Sequence, residues 1–260
     1  MSRVIESIFA LPWWGALAVL VALLMASTEL GFRLGRAGMG AAGKPPGQAA
    51  VALAGLLGLL GLLLGFSFGM AESRYSVRKA LVLEEANAIG TTYLRARFLP
   101  DEQRERVRSM LREYVDLRLR PVTPAALEEG IERSGKLHVD LWREAELAGR
   151  AHPTSEVVGL FVRALNELID LHTSRVSIGL HQRLPAGTFS LLLTVSIVVS
   201  FMFGYTTGLG KAREVVPTAA LVVSVAAVIV MIDALDAPAA PMFRITQWSM
   251  EDVRRSMAEN

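Results

Sequence analysis

The side chains with the best claim to chemistry are acids and amides beside long apolar runs. LEEANAIGTT, residues 83–92, sets Glu84, Glu85 and Asn87 ahead of two threonines. Oxygen ligands of this kind suit hard cations, and several copies converging on one axis would supply enough of them. A solvated face, or one hydrogen-bonded to other helices, accounts for the same residues. Asp233 and Asp236 follow the apolar run VIVMI and, three residues apart, share a helical face. Acids at the end of so apolar a run are candidate ion contacts, with helix-end solvation or pairing to Arg244 as the alternative. Glu72 closes the run GLLLGFSFGMAE, where it either lines an aqueous vestibule or pairs with Arg74 or Lys79.

Other chemistries find no support. The chain has no cysteine, which removes disulfides and thiolate metal sites. His138, His152, His172 and His181 never fall at the HExxH spacing of a zinc protease, so neither a metal nor a cofactor is expected. GLGK at 208–211 lacks the Ser or Thr that must follow a phosphate-loop lysine, and reads as a turn. No GxSxG elbow occurs, and an enzyme is not expected. A net charge of +2 without basic residues interleaved with aromatics gives no footprint for nucleic acid.

The elements that must position the acids are helices, many of them apolar. Hydrophobic residues make up 52% of the 260, too many for an ordinary soluble domain. They concentrate in four stretches at about 11–30, 49–70, 186–206 and 215–235. Each matches the roughly 20 helical residues that cross a hydrocarbon core. The first is too long for a signal-peptide core and is read as an uncleaved span. The expected fold is an all-α polytopic membrane protein with four transmembrane helices in two hairpins. Residues 1–70 form the first hairpin and 186–235 the second. A helical polar domain, 71–185, lies between them, and 236–260 form a tail. Glycine and proline in RAGMGAAGKPPG, residues 36–47, mark the first connecting loop.

Within the polar domain, Pro100-Asp101 ends one helix and opens another, with Val107, Leu111 and Tyr114 on its apolar face. Thr123-Pro124 reads as a cap and first helical position, and His152-Pro153 as the start of a further helix. Arginine and lysine near the membrane slightly favour the side that carries this domain and both termini, which places all three in the cytoplasm.

At 100° per residue, Gly58, Gly61, Gly65 and Gly69 share a narrow sector, and Glu72, Ser76 and Lys79 continue it. The second span and the start of the polar domain therefore read as one long helix with a special face. Phe66 and Phe68 flank the stripe. Glycines let another backbone approach closely in lipid. That partner is either another span of the same chain or an identical neighbour around an axis, where apolar side chains can gate by dewetting.

The run GFSFGMAESRYSVRKALVLEEANAIGTTYLR, followed by FLP, and the carboxyl-terminal IDALDAPAAPMFRITQWSMEDV together resemble the bacterial bestrophin-like family. That resemblance implies a four-span helical protein with a cytoplasmic polar domain in the bacterial inner membrane. It further implies kinship with bestrophins, pentameric ion channels whose second helix lines the pore. The dense acidic cluster of the animal calcium clasp is absent here. The expected function is a homo-oligomeric ion channel whose partners are further copies of itself, membrane lipid and inorganic ions. The alternative is a non-conducting scaffold or sensor whose polar domain binds a protein.

Overall fold

A computed structural model describes residues 11–38, 46–120, 124–210, 213–237 and 241–259. Most of the 36–47 loop, the Thr123 cap and the middle of the 208–213 turn lie outside these. The described residues form eight α-helices and no strand. They are α1 (Trp13–Gly38), α2 (Pro46–Arg95), α3 (Asp101–Leu119), α4 (Pro124–Ala151), α5 (Glu156–Val176), α6 (Ala186–Leu209), α7 (Val215–Asp236) and α8 (Trp248–Glu259). Four of them, α1, α2, α6 and α7, are long and apolar enough to cross a membrane.

Two units pack separately. The first comprises residues 1–75 and 183–243, the second 76–182 and 244–260. α2 contributes to both as a single helix of 50 residues with no proline after its first position. At 1.5 Å per residue that is roughly 75 Å, more than twice the ~30 Å of a hydrocarbon core.

In the apolar unit, α1 and α6 make the tightest crossing. A Cβ built on Gly31 would sit 2.0 Å from the Phe201 carbonyl oxygen, and one on Gly35 2.3 Å from that of Tyr205. From the other side, a Cβ on Gly204 would meet the Thr28 oxygen at 1.9 Å and one on Gly208 the Phe32 oxygen at 2.4 Å. Two GxxxG spacings therefore face each other, and only glycine lets the backbones meet so closely. Ser27 Oγ adds a hydrogen bond across the crossing to the Ile197 carbonyl, at 2.9 Å. Leu20 and Leu24 of α1, Leu60 of α2, Val199 of α6 and Ile229 of α7 fill the core beside it.

The polar unit packs α3, α4 and α5 with the second half of α2 around Ile89, Leu111, Tyr114, Leu141, Phe161 and Leu165. α3 begins at Asp101, directly after Pro100, with Asp101 and Glu102 in its first turn, where acids favour the helix dipole. α5 starts at Glu156 rather than at Pro153. Ser155 takes the cap, its Oγ accepting from the Val158 amide, and 152–155 form the turn. The sequence leaves α8 as tail, but Met250 and Met257 bury it in this core. Tyr93 holds it there, its hydroxyl donating to the Met257 carbonyl at 3.0 Å.

Candidate functional site

α2 separates its faces along its whole length. Leu53, Leu60, Ser67, Ala71, Arg78, Glu85 and Ile89 are buried, recurring about every seventh residue on one side. Opposite them Gly58, Gly61, Gly65, Gly69, Glu72, Ser76 and Lys79 are all exposed. A Cβ on any of the four glycines, or on Gly55, would meet nothing within 4 Å. Among the described residues the stripe therefore has no packing partner; the glycine crossing described above belongs to α1 and α6. Phe66 is 64% exposed and Phe68 37%, one on each flank. Only 6% of the most apolar window of α2 is buried, against 33% in each of the other three spans.

Beyond the apolar run, Glu84 and Asn87 stay on the exposed side while Glu85 turns inward and is fully buried. Glu85 thus takes the alternative given for this stretch, hydrogen bonding to other helices. It is the centre of a hub drawn from four helices. Tyr114 Oη of α3 donates to Glu85 Oε1 at 2.5 Å. Arg175 of α5 donates to Oε2. Arg118 Nε of α3 lies 3.2 Å from Oε1, an ionic contact without hydrogen-bond alignment. The Arg118 guanidinium also donates to Ser134 Oγ of α4, at 3.2 Å, and to Nδ1 of His172 in α5. His138 of α4 completes the group, its ring 4.7 Å from that of His172 in edge-to-face geometry.

Burial and charge together decide the protonation states. Burial pushes the Glu85 carboxyl up, but Arg118, Arg175 and the Tyr114 hydroxyl outweigh it and hold the group ionised, below its usual range. Burial, reinforced by the Glu85 charge, drives the Tyr114 hydroxyl far above its normal value, so it stays a donor. Desolvation, followed by the nearby Arg118 charge, lowers His138 to about 4 and His172 to about 3. A neutral His172 accepting at Nδ1 carries its proton on Nε2. His138 Nε2 is buried without a hydrogen-bond partner. One carboxylate and two guanidiniums leave the hub positive, which is unsuited to a cation. No cluster among the described residues could hold a metal.

Both histidines titrate lower when folded, so the unfolded chain binds more protons once the pH drops below about 6.5. Their contribution is complete above that pH and declines as the pH falls toward about 4 for His138 and about 3 for His172. Each is expected to contribute on the order of 2–3 kcal/mol of acid sensitivity. Denaturation of the purified chain between pH 7.5 and 4.5 checks this. His138→Phe should lose less stability over that range than the parent, and equal losses would remove His138 from the explanation.

At the far end of α7, Asp236 is 4% exposed and accepts the Leu184 amide at both oxygens, 3.1 and 3.0 Å away. Arg74 of α2 lies 4.0 Å from it. Asp236 therefore ties the end of α7 to the chain entering α6. Asp233 is half-buried on the preceding turn.

Four helices able to span a membrane, with one of them continuing into a bundle built on a buried glutamate, define a polytopic α-helical membrane protein. The bestrophin-like domain profile matches residues 18–246, and the chain belongs to that family. Two crystal structures of a bacterial bestrophin homologue from Klebsiella pneumoniae, each carrying a mutation, share the fold. One aligns with a TM-score of 0.69 at 15% identity, covering 93% of this chain and 97% of the other. The second gives 0.64 at 13% identity, covering 93% and 99%. No curated protein matches the chain.

Proposed function

We propose that the chain is a subunit of a homo-oligomeric ion channel in the bacterial inner membrane, with α2 lining a central pathway. The supporting observation is the exposed face of α2, where a Cβ on any of four glycines would meet nothing within 4 Å among the described residues. Facing only acyl tails, those glycines would forfeit the backbone packing that drives helix association in lipid. Turned toward further copies around an axis, they gain it. The same face then presents Glu72, Ser76, Lys79 and Asn87 to the continuation of that axis, with Phe66 and Phe68 as candidates for an apolar constriction. Family membership supports a channel, and five copies follow from the bestrophin resemblance. Both termini and the polar unit are placed in the cytoplasm on the balance of flanking arginine and lysine.

Reconstitution into liposomes, with ion flux and single-channel recording, tests this reading. Conductance is expected from the folded, oligomeric protein. Silence across voltage, pH and ion composition would favour the non-conducting scaffold. Because Gly65 is open within the chain, Gly65→Leu should leave the subunit folded while lowering assembly and flux together. Gly55→Leu, farther off the stripe, should do less. Equal tolerance at both positions would remove the stripe from the assembly.

A further inference from the structure

The geometry points to a phospholipid-headgroup site at the carboxyl-terminal end of α1, where Arg33, Arg36 and Arg213 would hold a lipid phosphate. The three arginines, with Glu29, Phe32 and Ala37, line an open cavity of about 500 Å³. Its floor is ordered by internal contacts. Arg213, just ahead of α7, donates to both Glu29 oxygens at 2.9 and 2.8 Å. Arg33 Nε donates to Glu29 Oε1 at 2.8 Å. The Arg213 guanidinium also lies 5.1 Å over the Phe32 ring, a contact that holds it flat. One carboxylate thus orients two guanidiniums and neutralises only one positive charge.

Three guanidiniums against a single carboxylate leave a surplus of positive charge with unused N–H donors. The planar fork of arginine matches phosphate oxygens two at a time. The ligand class follows from location. α1 is long and apolar enough to span the membrane, and the polar residues from Glu29 onward mark where its apolar run ends. Arg213 precedes the first apolar residue of α7. Side chains at that level of a bilayer lie among the lipid headgroups, outside the hydrocarbon core. The inference rests on the membrane-spanning reading and is independent of conduction.

The test is native mass spectrometry of the full chain in detergent, titrated separately with phosphatidylglycerol, phosphatidylcholine and inorganic phosphate. Saturable binding of phosphatidylglycerol is expected, weaker binding of phosphatidylcholine, and no competition from millimolar phosphate. Arg36 is exposed and takes no part in the Glu29 contacts, so Arg36→Gln should fold normally. It should weaken phosphatidylglycerol binding about tenfold, with Arg36→Lys intermediate because it keeps charge but loses the fork. Equal affinity in parent and Arg36→Gln would overturn the site. So would inorganic phosphate displacing the lipid at millimolar concentration, which would mark a free-phosphate site instead.

Discussion

Glu85→Ala is expected to destabilise the polar unit by about 3–5 kcal/mol, the usual cost of removing one partner from a buried charge pair. The reason is what stays behind. Arg118, its side chain 10% exposed, and Arg175, at 20%, both lose their carboxylate. The fully buried Tyr114 hydroxyl loses its acceptor. Two like charges are then left in the hub without the carboxylate that neutralised one of them. Glu85→Gln should cost less, because the amide oxygen still accepts from Tyr114 while the ionic attraction is gone. Arg175→Ala in the Glu85→Ala background should recover part of the loss, since it removes a stranded charge. Thermal or denaturant unfolding of the purified chain, with hydrogen exchange followed in α3, α4 and α5, measures the effect. A loss below about 1 kcal/mol for Glu85→Ala would mean that the hub contributes little.

The second large effect is expected at the α1–α6 crossing. Gly204→Ala places a methyl group where the Thr28 carbonyl oxygen lies 1.9 Å away, and Gly31→Ala does the same against the Phe201 oxygen at 2.0 Å. Both obstacles are backbone, so no rotamer change relieves them and the helices must move apart. Overpacking typically costs about 1–3 kcal/mol, and a backbone obstacle belongs at or above the top of that range. Separation would also break the hydrogen bond from Ser27 to Ile197. Gly65→Ala supplies the contrast, because nothing within the chain lies near its Cβ. Unfolding in detergent should show a large loss for the first two substitutions and none for the third in the isolated subunit. Comparable behaviour of all three would contradict the assignment of one glycine set to the subunit interior and the other to its outside.

Much of this architecture was legible from periodicity. The four apolar runs, the helix opening at Asp101 and the long α2 follow from local patterns with short range. The glycine stripe of α2 is also readable, although the direction it faces is not. Periodicity gives the angle between residues and leaves open what lies at that angle. The facing GxxxG pairs at Gly31–Gly35 and Gly204–Gly208 carry a spacing as plain as that of α2. Spacing alone does not say which of two glycine sets meets a backbone of the same chain.

The hub was hidden for a different reason. An amphipathic reading turns polar side chains outward, so Arg78 and Glu85 on the buried side of α2 invert its rule. Glu84 and Glu85 are chemically alike, and only the phase of Ala71 and Ile89 tells which one faces in. His138 and His172 lie on separate helices, and no sequence spacing relates residues that only tertiary packing brings together. Spacing marks Tyr114 as core, but its hydroxyl, not its ring, decides the chemistry. Asp236 likewise looked like a helix-end acid, because its partner is a backbone amide at Leu184 with no sequence signature.

The mass of the detergent-solubilised protein, measured by light scattering and corrected for bound detergent, bears most directly on the outward face of α2. One chain weighs 28.2 kDa. If that face meets other copies around an axis, the particle should weigh a whole multiple well above two chains, with five expected on the proposed channel reading. A stable particle of one or two chains would leave the glycines of α2 without an enclosed axis and would contradict the channel.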